Sequence, residues 1–157
     1  MLAAAYENIQ EFLGEWRFAI IGVSKDPKHF TRSLFKEFLK HEYDVIPVNP
    51  NTTNIDGRPC FQHIGEVQPL VSQAMITTPK SVTLNTIQEA ESAGLQRVWI
   101  YGISGQKDVA EEVLEFGRNS EMDIIPGFCP FMFLPNAAFF HKIHGAVWKM
   151  LGKYPAT

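Results

Sequence analysis

The sequence predicts an α/β fold: a doubly wound, mostly parallel five-stranded sheet with an added C-terminal helix. Three observations carry that prediction. Short continuous apolar runs such as Phe18-Ala19-Ile20-Ile21 suit strands covered on both faces. Segments with helical apolar spacing alternate with those runs. The helices that separate the strands run to roughly 11–14 residues, which suits right-handed crossovers between parallel neighbours.

Ala3 to Leu13 reads as a short amphipathic helix, with Tyr6, Ile9, Phe12 and Leu13 on one side. Phe18 to Ile21 is the first strand and stops at Gly22. Thr31 to His41 repeats Leu34, Phe35, Phe38 and Leu39, the stripe of a helix lying on a sheet. Thr31 is its expected N-cap. Tyr43 to Val48 is the second strand, ended by Asn49-Pro50, and Asp56-Gly57 signals a turn. Val71 to Thr77 is the third strand. Ser81 to Ala93 is a helix stopped by Gly94, and Arg97 to Tyr101 the fourth strand. Lys107 to Arg118 is a helix, with Ser104 as its expected cap, and Asp123 to Pro126 the fifth strand. The organisation is an N-terminal helix over 1–14, the sheet domain over 15–130, and an aromatic helical extension over 131–157.

A chain of 157 residues fits one such domain, and 45% hydrophobic residues argue against disorder. The net charge is −3, which does not suit a nucleic-acid binder. No Asp or Glu occurs from Ile124 onward, whereas Lys142, Lys149 and Lys153 do. No apolar run approaches the roughly 20 residues of a membrane span. The N-terminus lacks the basic start of a secretory signal. Cys60 and Cys129 lie far apart and outside any CxxC pair, so no zinc site is expected. Two free thiols in a cytoplasmic protein are the simplest reading, with a disulfide between them left open.

In a sheet of this kind the ligand sits at the carboxyl ends of the strands, near a topological switch point. Four loops fall there: Gly22–Thr31, Val48–Asn54, Thr77–Lys80 and Gly102–Gly105. Gly22 permits close approach of a phosphate, and Ser24 and Thr31 add hydroxyls beside a helix N-terminus. Lys25, Lys28 and Arg32 are the phosphate candidates, whereas Lys36 and Lys40 lie farther along the helix and face water. A solvated basic helix is the alternative. Both the G-x-G-x-x-G fingerprint and the Walker A loop are absent. The second strand ends in Val48-Asn49-Pro50-Asn51, with no acid before Asp56. That disfavours NAD, whose ribose usually meets an acid there. It suits a phosphorylated ribose, as in coenzyme A or NADP. Pro50 offers a flat wall for adenine; a plain turn is the other reading.

Ile20-Ile21-Gly22-Val23-Ser24, Asp26-Pro27 and Tyr43-Asp44-Val45-Ile46-Pro47-Val48-Asn49-Pro50 resemble the small CoA-binding proteins. Those are single Rossmann-like domains, similar to the CoA-binding domain of the succinyl-CoA synthetase alpha subunit. The likeness continues through Gly57-Arg58-Pro59, Val98-Trp99-Ile100 with Gly102, and Cys129-Pro130. The resemblance implies a pyrophosphate site at Gly22, Ser24, Lys25 and Thr31. It implies an adenosine site at Val48, Asn49 and Pro50, with another wall from Thr77, Thr78 and Pro79. The chain departs from the family at Val23, often alanine, and at Asn51, often lysine. Thr77-Thr78 replace a frequently basic pair, and His29 stands where arginine is common. Fewer fixed charges imply a weaker hold on a polyanion.

No nucleophile elbow or acid–base pair is visible. His41 is expected at a helix C-terminus and His63 in a loop. His141 and His144 share a helix face, too few ligands for a metal site. Cys129 is expected in the core, though a thiol there could face a bound pantetheine. The sequence therefore points to a non-catalytic binder of coenzyme A or an acyl-CoA. An NADP-dependent or acyl-CoA-utilising enzyme and an interaction module without ligand are the alternatives. Three readings stand for the aromatic tail: folding back over the sheet edge, a homodimer contact, or peripheral membrane attachment.

Overall fold

The computed structural model describes residues 6–135. In chain order the strands are β1 (Arg17–Ile21), β2 (Asp44–Val48), the two-residue β3 (Asn54–Ile55) and β4 (Arg58–Pro59), β5 (Gln73–Ile76), β6 (Arg97–Tyr101) and β7 (Asp123–Phe128). The α-helices are α1 (Tyr6–Gly14), α2 (Phe30–Lys40), α3 (Lys80–Ser92) and α4 (Glu111–Asn119). The main sheet has the order β2-β1-β5-β6-β7, and every pairing in it is parallel. The chain steps outward from β1 to β2, then returns past β1 to β5. The β1/β5 boundary is therefore the switch point.

The period-two alternation of each strand sorts its side chains into two cores. Phe18, Ile20, Met75, Trp99 and Ile125 face one side, where Ile9 and Phe12 of α1 and Leu34, Phe35 and Phe38 of α2 cover them. Ala19, Ile21, Ala74, Ile76, Val98 and Ile124 face the other, under Ile87 and Ala90 of α3 and Val113 and Leu114 of α4. The helices thus lie on both faces, which makes the fold doubly wound and Rossmann-like. Phe12 is the keystone of the first core. It meets Phe18 at 4.9 Å and Trp99 at 5.3 Å, both edge-on, and Trp99 Nε1 donates to the Phe128 carbonyl at 3.0 Å. Truncating such a ring costs about 3–5 kcal/mol.

Several local expectations need correction. In the connection from β2 to β5 the turn expected at Asp56-Gly57 is the tip of the β3–β4 hairpin, and a short 3-10 turn, Ile64–Glu66, follows it. Asp56 and Gly57 have φ of 51° and 79°, as a two-residue hairpin turn requires. The cap of α2 is His29, whose side chain accepts from the Thr31 N–H. The Thr31 hydroxyl instead accepts from Ser24 N–H at 3.0 Å. The expected helix from Lys107 divides into a 3-10 turn, Gly105–Asp108, and α4, because Val109 is extended. Ser104 makes no side-chain cap there; Asp108 Oδ2 accepts from the Ile103 and Ser104 N–H groups, each at 2.6 Å. β7 runs two residues beyond Pro126. Both cysteines are free and buried. His141, His144 and the aromatic helix expected after Asn136, with its dimer and membrane readings, lie outside the described residues.

Candidate functional site

The ends of three strands are tied together at the switch point. Gly22 N–H donates to the Val48 carbonyl at 2.9 Å, and Thr77 N–H donates to the Ile21 carbonyl at 2.9 Å. Thr77 Oγ1 donates to that same carbonyl at 2.9 Å. Gly22 has φ of +101°, and a Cβ there would sit 2.8 Å from Thr77 Oγ1 and 3.0 Å from Thr78 N. The backbone after β1 therefore lies flat against the backbone after β5.

The loop after Gly22 satisfies most of its own amides. Asp26 N–H donates to Ser24 Oγ at 3.1 Å, and Lys28 N–H to Asp26 Oδ1 at 2.9 Å. His29 N–H donates to the Asp26 carbonyl, and Arg32 N–H to the His29 carbonyl. Thr31 is fully buried, with Oγ1 2.9 Å from His29 Nδ1. Arg32 was expected to point at a phosphate, but it lies beneath the loop at 5% exposure. Its Nη1 donates to the Ser24 and Lys25 carbonyls at 3.3 and 3.1 Å, and its Nη2 pairs with Asp56. Lys36 reaches the other Asp56 oxygen at 3.9 Å. Arg32 and Lys36 stand one helical turn apart on α2, so both meet the hairpin tip. Lys25 and Lys28 are exposed and make no ion pair among the described residues. They are the loop's free cations.

Asn49 bridges the first two loops. Its Nδ2 donates to the Val23 carbonyl at 2.7 Å, and its Oδ1 accepts from Asn51 N–H at 2.8 Å. Beside it a cavity of about 250 Å³ opens between the strand ends and α3. Ile21, Gly22 and Val48 form its floor, and Pro50 and Ile64 one wall. Thr78 and Val82 form the opposite wall, and His63, Asn85 and Glu89 stand at its polar edge. Of the residues expected in the site, Gly22, Val48, Pro50 and Thr78 meet in this cavity. Thr77 and Asn49 brace it, and Pro79 starts α3 without a side-chain cap. Ser24, Lys25, Thr31 and Arg32 belong to the neighbouring loop.

His63, Val82, Asn85, Glu89 and Asp56 escaped sequence reasoning. His63 arrives because Phe61 pairs with Val48 in parallel as an isolated bridge, a contact without sequence periodicity. Asp56 was legible in part: Arg32 and Lys36 at i, i+4 needed an anion opposite.

On the other side of Gly22, the Phe30 ring lies between His29 at 5.0 Å and Tyr101 at 4.9 Å. Burial, then the neighbouring Cys129 thiol, push the Tyr101 hydroxyl up to about 12. Burial also raises Cys129 and Cys60 above the ordinary thiol range. These thiols keep their protons at neutral pH, which makes them poor nucleophiles. Among the described residues, no group of three His, Cys, Asp or Glu side chains is arranged to hold a metal ion. No helix there is long and apolar enough to cross a membrane.

Residues 17–135 match the family model of the CoA binding domain. The chain belongs to that family. It is similar to the alpha subunit of ADP-forming acetate–CoA ligase II from Pyrococcus furiosus, at 29% identity over 118 residues. That match covers 71% of this chain and 26% of the subunit, so the chain spans about a quarter of its curated relative. A conserved hypothetical protein from Pyrococcus furiosus superimposes with a TM-score of 0.60 at 27% identity, over 69% of this chain and 91% of that one. A hypothetical protein from Pyrococcus horikoshii gives 0.67 at 24% identity, over 79% and 85%. The dinucleotide-forming acetyl-coenzyme A synthetase 1 of Candidatus Korarchaeum cryptofilum gives 0.59 at 23%, over 69% of this chain and 25% of that one. The last two likenesses concern the fold. This CoA binding domain is thus related in sequence to an acyl-CoA ligase subunit.

Proposed function

We propose that the chain binds coenzyme A or an acyl-CoA across the ends of β1, β2 and β5, as a non-catalytic ligand-binding or regulatory protein. The observation that carries this reading is the apolar cavity at the switch point, directly beside the loop that holds the unpaired Lys25 and Lys28. The cavity takes the adenine, with Pro50 and Val82 as its flat walls. Lys25 and Lys28 face the phosphates. The neutral end of β2 accepts a phosphorylated ribose, because Asp56 is turned to Arg32 and Lys36. Arg32 acts here by holding the loop carbonyls, not by touching phosphate.

Calorimetry with coenzyme A, dephospho-CoA and NADP tests the reading. Coenzyme A should bind best. Lys25→Glu should weaken it about fivefold at low salt, the size of a partly screened charge contact. Equal affinity for dephospho-CoA would remove the ribose-phosphate assignment. Failure of all three ligands would refute the proposal.

A further inference from the structure

The polar edge of the cavity has a fixed hydrogen-bonding character. Asn85 and Glu89 stand one turn apart on α3, and both line the cavity. Asn85 Nδ2 donates to Glu89 Oε1 at 2.8 Å. A carboxylate only accepts, so the Asn85 amide must face it and Oδ1 is left over. Gln62, beside Pro50, behaves alike: its Nε2 donates to the Pro50 carbonyl at 3.3 Å, and its Oε1 remains. The Thr86 hydroxyl donates to the Val82 carbonyl at 3.0 Å. The amide donors of this edge are thus engaged within the protein, and its acceptors are not. His63 can present either a donor or an acceptor, so it does not set the preference. Glu89 is also unfavourably placed on electrostatic grounds. It lies in the last turn of α3, at the negative end of the helix dipole. No ion pair holds it among the described residues. Beside a polyanionic ligand such a carboxylate weakens binding unless it makes a contact of its own.

Resting on the coenzyme A reading, we infer that Glu89, held in place by Asn85, determines base specificity by accepting a hydrogen bond from the exocyclic amine of adenine. The two N–H groups of that amine suit two acceptors one helical turn apart, the Glu89 carboxylate and the Asn85 oxygen. A 6-oxo purine brings a carbonyl oxygen to the same place, where it meets acceptors. The site therefore selects a 6-aminopurine. This contact also gives the carboxylate a reason to stand in a site for a polyanion. Beyond these side chains the cavity continues into an open depression lined by Gly65, Gln88 and Ser92. Solvent reaches the contact from that side, so the discrimination is smaller than the several decades of a sealed polar site.

The probes are coenzyme A and its hypoxanthine analogue, which share every phosphate and the whole pantetheine arm. Affinities are measured by calorimetry at neutral pH. The wild-type protein should bind coenzyme A about tenfold tighter than the analogue. Glu89→Gln keeps the size of the side chain, removes its charge and supplies an amide from which a 6-oxo group can accept. Glu89 is exposed, so the variant should melt within about 2 °C of wild type. Its preference for coenzyme A should fall to about twofold or less, through weaker binding of coenzyme A. Asn85→Ala removes the second acceptor and the side chain that holds Glu89, and should lower the preference in the same direction. Equal wild-type affinity for the two ligands, or a Glu89→Gln protein that keeps the wild-type preference, would overturn the inference and leave the coenzyme A reading standing. So would a Glu89→Gln protein that binds both ligands more tightly by one factor, the mark of a carboxylate that only repels. Failure of coenzyme A to bind the wild-type protein would overturn both.

Discussion

Gly22→Ala tests whether the site depends on contact between two strand ends. Two effects add. The φ of +101° lies in the region that L-residues avoid, at a cost of about 1–2 kcal/mol. The new Cβ would also meet Thr78 N at 3.0 Å and the Thr77 carbonyl carbon at 3.1 Å. These are backbone atoms and cannot swing aside, so overpacking adds about 1–3 kcal/mol. Gly57→Ala separates the two effects. Its φ is +79°, but nothing lies within 4 Å of the added Cβ, so only the backbone term remains. In a domain of this size each kcal/mol lowers Tm by about 2–4 °C. Gly22→Ala should therefore melt about 4–20 °C below wild type, and Gly57→Ala about 2–8 °C below. The first should also lose more than about tenfold in coenzyme A affinity, because the displaced Thr77–Thr78 backbone borders the cavity. Scanning calorimetry and isothermal titration on both variants decide the matter. Equal losses of Tm would show that the close approach contributes nothing.

Asn49→Asp should cut coenzyme A affinity several-fold, since a carboxylate cannot donate to the Val23 carbonyl. Titration at neutral pH checks this, and unchanged affinity would remove the bridge between the loops from the site. Arg32→Ala should destabilise by about 2–4 kcal/mol, because it strips the buried donors from two loop carbonyls and leaves Asp56 without its nearest partner. Lys36→Ala, at an exposed position, should cost under about 0.5 kcal/mol. Urea midpoints at constant m-value measure both. The Tyr101 hydroxyl contributes stability that is complete below the unfolded tyrosine value near 10 and is lost as pH rises toward the folded value of about 12. Alkaline melting curves should show that loss in wild type and less of it in Tyr101→Phe. Identical alkaline slopes would dissociate Tyr101 from the effect.

The main sheet was legible because a buried parallel strand has a local signature: an apolar run closed by Gly, Asn-Pro or a polar turn. Phe18–Ile21 and Arg97–Tyr101 are of that kind. The link from β2 to β5 was not legible. Its hairpin is two residues per strand, and its key pairing, Val48 with Phe61, is one isolated bridge. Nothing periodic marks such contacts. The same reason hid His63, which reaches the cavity only through that bridge. Caps failed differently. Thr31 and Ser104 have suitable side chains, yet the loop geometry brings other acceptors into play: His29 accepts from Thr31 N–H, and Asp108 from the Ile103 and Ser104 N–H groups. Arg32 shows the remaining limit. Sequence places a cation on the first turn of a helix, but only the hairpin's return to α2 decides whether it meets a ligand or Asp56.

On the coenzyme A reading proposed above, the glycine content of the first loop decides how the polyanion is recognised. Phosphate-cradling loops present successive amides, which needs residues free to adopt positive φ. This loop has Gly22 alone, then Pro27, and most of its amides turn inward to Ser24, Asp26, Thr31 and His29. Backbone donors therefore provide little of the grip, and two exposed lysines cannot fix a register. Orientation must come from the rigid part of the site: the strand ends tied by Gly22, Val48 and Thr77, and the walls set by Pro50 and Val82. Affinity and specificity are then separable on this surface. Salt should weaken the contacts at Lys25 and Lys28, while the fit of the base in the cavity should be largely indifferent to it.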